Sequence, residues 1–449
     1  MKLVYNVQDK PRFGQTLVFA LQQLLAILAA TIAVPAIIGN GMSQSAALFG
    51  AGAGTLVYLL FTKFRSPAFL GSSFAFLGSM AAAFAGALTT ADKNKGFAGL
   101  IIGAAMAGLV YVVIALVVKF AGVKWISKLM PPVVIGPTVA IIGLSLAGNA
   151  IGDLTKGSVL DAAQNPVANP YLALICGLVT LFVVIICSVF GKKMAKLIPF
   201  IIGIVAGYAV AAIFTVIGIA TNNPALQIIN FAAFQNMQWI PDFTFLKAID
   251  GFKYVDAPYI ASLAVAYIPV AFVVFAEHIA DHKNLSSIIE KNLLEDPGLH
   301  RTLLGDGVGS IAGAIFGGCP NTTYGESVGC VAITGNASVV TILATAILAM
   351  VASFFAPFVT FLSTIPSCVM GGVCMTLYGF IAVSGLKMIQ DVDLGQNKNL
   401  FVVAVILIAG VGGLQLTFGG ITITSIACSL ILGILVNAVL SLKKDKTNC

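Results

Sequence analysis

Long apolar runs separated by short polar clusters make up most of this chain. Read in windows of about nineteen residues, they give candidate membrane spans near 15–38, 45–62, 68–88, 97–119, 132–150, 170–190, 197–219, 257–281, 302–318, 321–336, 337–358, 366–386, 399–418 and 420–441. The pattern predicts an all-α polytopic membrane protein of about fourteen transmembrane segments. The third and tenth are short and rich in glycine. The tenth opens on Cys319-Pro320-Asn321-Thr322-Thr323-Tyr324-Gly325-Glu326-Ser327, where an early proline and a glycine just before an acid predict an extended piece leading into a half-helix. Irregular backbone is tolerated at membrane depth only where it faces protein or a cavity, so this segment is the first place to look for a ligand.

Composition agrees: 59% of the residues are hydrophobic and only 9% are charged, against about a quarter in a soluble domain. Met1 to Gln15 is polar and basic and lacks a small-residue cleavage site, so the first run is expected to be retained as a span. With the N-terminus inside, the loops divide the 24 basic residues 19 to 5 in favour of the inside. That asymmetry predicts cytoplasmic N- and C-termini in a cell (plasma) membrane protein. It also accounts for the formal charge of +7 without a nucleic-acid partner. The eight cysteines fall mostly within apolar runs without zinc or redox spacing, and read as small core residues; no metal or cofactor is expected.

The chain resembles itself in order. Gly52-Ala53-Gly54-Thr55, Phe61, Pro67 and Gly71-Ser72-Ser73-Phe74 line up with Gly307-Val308-Gly309-Ser310, Phe316, Pro320 and Gly325-Glu326-Ser327; Pro131 to Gly136 echoes Pro366 to Gly371. Two halves of about seven spans follow. An odd number per half inverts the second relative to the first, the arrangement of carriers that open alternately to either side.

Two segments carry acids where acids are costly. Glu326 lies in span ten, and span eight ends Phe275-Ala276-Glu277-His278-Ile279-Ala280-Asp281-His282. An ionisable group inside a membrane is a functional candidate by default. Glu277 and Asp281, four apart, share a helix face and would repel if both were ionised. His282 and Lys283 read as the wet end of the span, and His278 as a structural histidine bonded to a partner.

These residues together identify a resemblance. Gln22-Gln23 and Ala30-Thr31, Gly71 to Phe76, Ala276-Glu277-His278, Asp296-Pro297-Gly298-Leu299-His300-Arg301 and Pro320 to Glu326 are similar to the nucleobase-ascorbate transporter family (nucleobase:cation symporters), over essentially the whole length. Its signature of an acid or Gln, a Gly three positions on and a Thr eight on stands as Glu326, Gly329 and Thr334.

The resemblance implies two inverted 7-span repeats folded into a core domain (1–120 and 257–358) and a gate domain (121–220, and 359–449 with a cytoplasmic tail), with an extracellular connector at 221–256. It implies substrate-binding residues Glu277, Glu326, Phe74, Gly325, Tyr324, Ser73 and Ala30, no cofactor beyond the proton gradient, and a homodimer; proton coupling is expected of the acids Glu277, Glu326, Asp281 and Asp306. A uracil edge alternates N–H donors with C=O acceptors, which a carboxyl group beside half-helix N–H donors can match. Desolvation and mutual repulsion favour the protonated form of at least one acid, so a proton would enter with substrate and leave when the site wets on the other side.

Four positions depart from the uracil-carrier pattern: Ser327 in place of Asn, Gly335 where a basic residue is usual, Asp281 in place of His, and Asp306, an Asp in xanthine-type relatives. Uracil import with a proton is the first expectation, and a xanthine or other purine symporter the alternative. A channel would need pore-lining rings, and a membrane enzyme a nucleophile with its base or a metal cluster; neither pattern is present in the sequence. Leu285 to Arg301 is expected to be a cytoplasmic surface helix and connector.

Overall fold

A computed structural model describes residues 3–85, 87, 89–122, 131–161, 165–192, 194–235, 237–418 and 421–442. Of the basic residues that set the predicted orientation, Lys2, Lys124, Lys128, Lys193, Lys443, Lys444 and Lys446 lie outside the described residues.

The first half runs α1 (Phe13–Ile38), α2 (Gln44–Phe61), β1 (Leu70–Ser72), α3 (Phe74–Ala83), α4 (Thr90–Ala121), α5 (Pro132–Asp153), α6 (Pro170–Phe190) and α7 (Pro199–Ala220). A connector containing α8 (Thr244–Gly251) leads to the second half: α9 (Ala257–Ile289), α10 (Leu299–Gly317), β2 (Asn321–Thr323), α11 (Gly325–Thr334), α12 (Val339–Ala352), α13 (Ala356–Ser363), α14 (Ser367–Met388), α15 (Asn397–Val411), β3 (Leu416–Phe418), β4 (Ile421–Ile423) and α16 (Ser425–Leu442). Among the described residues, eight helices are long and apolar enough to cross a membrane, and α12 with α13, bent by 83°, adds a broken ninth. The remaining candidates are shorter or less apolar. Large apolar side chains such as Phe182, Ile186 and Phe190 on α6 and Ile213 and Ile217 on α7 stay exposed, as a lipid-facing surface requires.

The packing repeats in pairs. α4 against α10 is mirrored by α12 against α2, α4 against α9 by α12 against α1, and α6 against α14 by α15 against α5. In the same way α3 on α9 has its counterpart in α11 on α1, and α1 on α7 in α9 on α16. Three further contacts join equivalent elements directly: α2 with α10, β1 with β2, and α5 with α14. They mark a pseudo-two-fold axis, the relation expected of inverted repeats. One bundle gathers α1–α4 with α9–α12, the other α5–α7 with α14–α16.

Helices in lipid gain little from burying apolar surface against one another, so close packing must hold them. At the α2–α10 contact glycines supply it: a Cβ on Gly54 would meet the backbone oxygen of Gly309 at 2.6 Å, and one on Gly50 the oxygen of Gly313 at 2.6 Å.

The structure corrects three local expectations. The shared ends of spans 399–418 and 420–441 fold into the β3–β4 hairpin instead of helix. The span at 337–358 stops at Ala352 and bends. Leu285 to Arg301 is not a surface helix: α9 runs unbroken to Ile289, and Leu285, Ile289, Leu293 and Leu299 are buried, so this end of the helix is held by the bundle and not by water.

Replacing Gly54 by Val is therefore expected to cost about 1–3 kcal/mol or more through overpacking, read as a lower thermal midpoint in detergent. Gly379→Ala, whose new Cβ meets nothing within 4 Å, should leave that midpoint unchanged or raise it.

Candidate functional site

The site is built on the α2–α10 platform. Leu70 N–H donates to Thr55 Oγ1 of α2 (2.9 Å), and Asn321 Nδ2 donates to Gly50 O of the same helix (3.0 Å), so each short strand is anchored at its first residue. The strands pair antiparallel, Leu70 with Thr323, Gly71 with Thr322 and Ser72 with Asn321. Two more backbone bonds close the ends: Ser73 N–H to Pro320 O (2.9 Å) and Tyr324 N–H to Phe69 O (3.2 Å). The Tyr324 ring lies across Gly71, where any Cβ would collide with it, and its hydroxyl donates to Ser72 O (2.8 Å).

From each end of this ribbon the chain turns into a half-helix. Phe74 and Ala75 at the start of α3, and Gly325 and Glu326 at the start of α11, line one cavity of about 50 Å³. Glu277 of α9, Thr322, Thr323 and Tyr324 complete its polar side, while Ile142 of α5 and Leu377 and Ile381 of α14 close the other. Glu277 and Glu326 also line a larger cavity of about 370 Å³, together with Asp281, Lys196, Ser384 and Met388. It opens toward the face that the charge distribution assigns to the inside. A vestibule of about 630 Å³ on the opposite face reaches Asp153, Asp242, Met370 and Cys374 but neither glutamate.

The predicted residues therefore separate into two groups. Glu277, Glu326, Phe74, Tyr324 and Gly325 come together around the small cavity. Asp281 joins them from the larger one and accepts a hydrogen bond from Thr323 Oγ1 (2.7 Å). Ser73 is buried beside Phe74, its hydroxyl unpartnered, and lines neither cavity. Ala30 is buried within α1, where Ala26, one turn earlier, reaches the larger cavity.

Asp306 stands behind the site on α10, only 1% exposed. Its Oδ2 lies 2.6 Å from His278 Nδ1, and His278 Nε2 lies 3.0 Å from Thr302 Oγ1. The Thr302 hydroxyl directs its one proton at Leu299 O (3.0 Å), so it accepts from His278 Nε2–H. A single proton is then shared between Nδ1 and Asp306 Oδ2. His278 thus has the structural partner expected of it, on the face of α9 turned from the cavity.

His282, expected to be wet, is instead buried. Its Nδ1 donates to His278 O (2.8 Å), its Nε2 lies 2.7 Å from the Tyr58 hydroxyl, and its ring stacks on His278 at 4.0 Å. Lys283, the next residue, is exposed as expected.

Sequence reasoning missed the apolar wall of Ile142, Leu377 and Ile381. The one available signal was the repeat itself: Leu377 follows Pro366 by the same interval that separates Ile142 from Pro131. It also missed Gln23 Nε2 bonding Ser327, which ties α1 to α11, and Tyr378, whose ring meets Phe74 edge-on at 5.9 Å.

Tyr324→Phe, which removes the hydroxyl held by Ser72 O, is expected to destabilise the protein by about 1 kcal/mol, measured as a lower thermal midpoint in detergent than the parent.

Comparison with known proteins places this arrangement. The model of the "Permease family" matches residues 14–418. The uracil permease of Bacillus caldolyticus is 40% identical, covering 98% of this chain and 95% of that one; the uracil permease of Bacillus subtilis is 37% identical over 99% and 97%. That of Escherichia coli K12 is 33% identical over 96% and 92%. Among solved structures, the transmembrane domain of the cyanobacterial bicarbonate transporter BicA aligns with a TM-score of 0.60 at 18% identity, over 97% of this chain and 99% of that one. The murine Solute Carrier 26 anion transporter, member A9, in its inward-facing state aligns at 0.66 and 12%, over 97% and 69%. These two share the fold alone. The family match and the near full-length relatives make the chain a member of the nucleobase-ascorbate transporter family of permeases, a multi-pass membrane transporter and not an enzyme.

Proposed function

We propose that this permease imports uracil together with a proton by alternating access. The observation that carries the reading is the meeting of Glu277 and Glu326 with the starts of α3 and α11 in one small cavity. A pyrimidine presents N–H donors beside carbonyl acceptors. The first-turn N–H groups of a helix have no partner within it and carry partial positive charge, which suits the carbonyl oxygens. A carboxyl group accepts from the ring N–H. The names of the relatives, uracil permeases at 33–40% identity, point to the same substrate.

Proton coupling rests on the acids. Glu277, Asp281 and Glu326 share the larger cavity, where three full negative charges would be costly to hold together. Asp281, held by Thr323 in place of the usual histidine, is the partner for Glu277. Asp306 enters the set through His278, the residue next to Glu277, with the proton that pair already shares.

Alternating access is supported by the division of the fold. The bundle of α1–α4 and α9–α12, our core domain, supplies every polar side chain of the small cavity; the bundle of α5–α7 and α14–α16, our gate domain, contributes only aliphatic ones. The core can then shift against the gate without breaking a hydrogen bond at the substrate.

In vesicles with an imposed pH gradient, labelled uracil should accumulate and then discharge when the gradient collapses. Glu277→Gln, which keeps the shape and removes the titrating group, should reduce gradient-driven accumulation at least tenfold; accumulation equal to the parent's would remove Glu277 from the relay. Competition by xanthine in the same vesicles distinguishes a pyrimidine from a purine carrier.

A further inference from the structure

On the nucleobase reading above, we infer that the aliphatic wall of Ile142, Leu377 and Ile381 sets the size of base the permease accepts, admitting one ring and turning away two. The polar side of the cavity cannot make that choice. Carboxyl groups and helix-end N–H donors match the carbonyl and N–H edge that pyrimidines and oxidised purines have in common. What separates the two classes is the second ring, and its room has to come from the side facing the edge that is bound.

That side is the gate. Leu377 and Ile381 lie one turn apart on one face of α14, and Ile142 meets them from α5. Ile142 and Leu377 are each 2% exposed, and Leu377 and Ile381 stand between the small cavity and the larger one, which they also line. The wall cannot retreat readily as a unit. α5 and α14 pack closely along the pseudo-axis, where a Cβ on Gly143 would collide with the Tyr378 carbonyl, and the Tyr378 ring is braced edge-on against Phe74 of α3. The small cavity's volume of about 50 Å³ corresponds to roughly four water positions. Interiors packed in this way resist added volume instead of yielding to it.

The position of the wall in the repeat adds an independent argument. Ile142 and Leu377 are equivalent residues, each eleven positions beyond its half's Pro131 or Pro366. They approach the substrate cavity from the two sides of the axis. Exchange of conformation between the halves leaves a pair on the axis in place, so the same two side chains bound the base in either orientation of the carrier.

The test uses the full-length protein in vesicles. Leu377→Ala and Ile381→Ala should let xanthine inhibit labelled uracil uptake at concentrations at least tenfold lower than in the parent, and Leu377→Met, which conserves volume, should keep the parental selectivity. Ile142→Val, a smaller truncation, serves if the alanine variants fail to fold. Variants that fold by thermal midpoint and carry uracil, yet exclude xanthine as the parent does, overturn the inference. A parent that takes xanthine as readily as uracil also overturns it while leaving nucleobase transport intact. A parent that carries neither base removes the reading of the site itself.

Discussion

Three residue pairs hold this molecule's function together. Extended backbone inside a bilayer leaves N–H and C=O groups that water cannot reach, each costing several kcal/mol if unpaired. Leu70–Ser72 and Asn321–Thr323 satisfy each other, and Ser73 and Tyr324 extend the pairing into the helix starts. Because the two strands come from opposite halves of the chain, neither half-helix can be placed without the other. The glycine contacts of α2 with α10, the Thr55 and Asn321 anchors and the Tyr324 ring over Gly71 all serve to keep that ribbon in register.

From this ribbon follows a division of labour. At the small cavity the polar chemistry comes from one bundle, and the facing bundle supplies only aliphatic side chains. Behind α9 a second polar layer, His278 with Asp306 and Thr302, and His282 with Tyr58, is fully enclosed. Such a network is costly unless satisfied; here the histidine nitrogens all find partners, while Asp306 Oδ1 has none among the described residues. It holds the helix that carries Glu277 against α10 and α2, so the acid's direction is set by residues that never meet the substrate.

Much of this was legible in the chain because charge and glycine stand out against an apolar background. Glu277 and Glu326 interrupt long hydrophobic runs, and the Pro320 to Gly325 segment announces a break; both led to the cavity that the fold assembles. His282 was misread because hydropathy places it near the end of a span, whereas its partner Tyr58 lies far away in sequence and only the fold brings them together. Ile142, Leu377 and Ile381 gave no contrast, being aliphatic residues among aliphatic residues. The β1–β2 pairing was hidden for a related reason: strands of three residues are too short to show an alternating pattern.

The half-helices also fix where along the membrane a bound charge sits. α9 spans 33 residues, about 50 Å of helix, whereas α11 has only ten, about 15 Å, and its first turn lies at the site. On the proposed proton coupling, a proton received there would have crossed roughly half the electric field, worth on the order of 1 kcal/mol for each 100 mV. The membrane voltage would thereby be divided between the proton's arrival and its departure, each step being drawn inward by part of it.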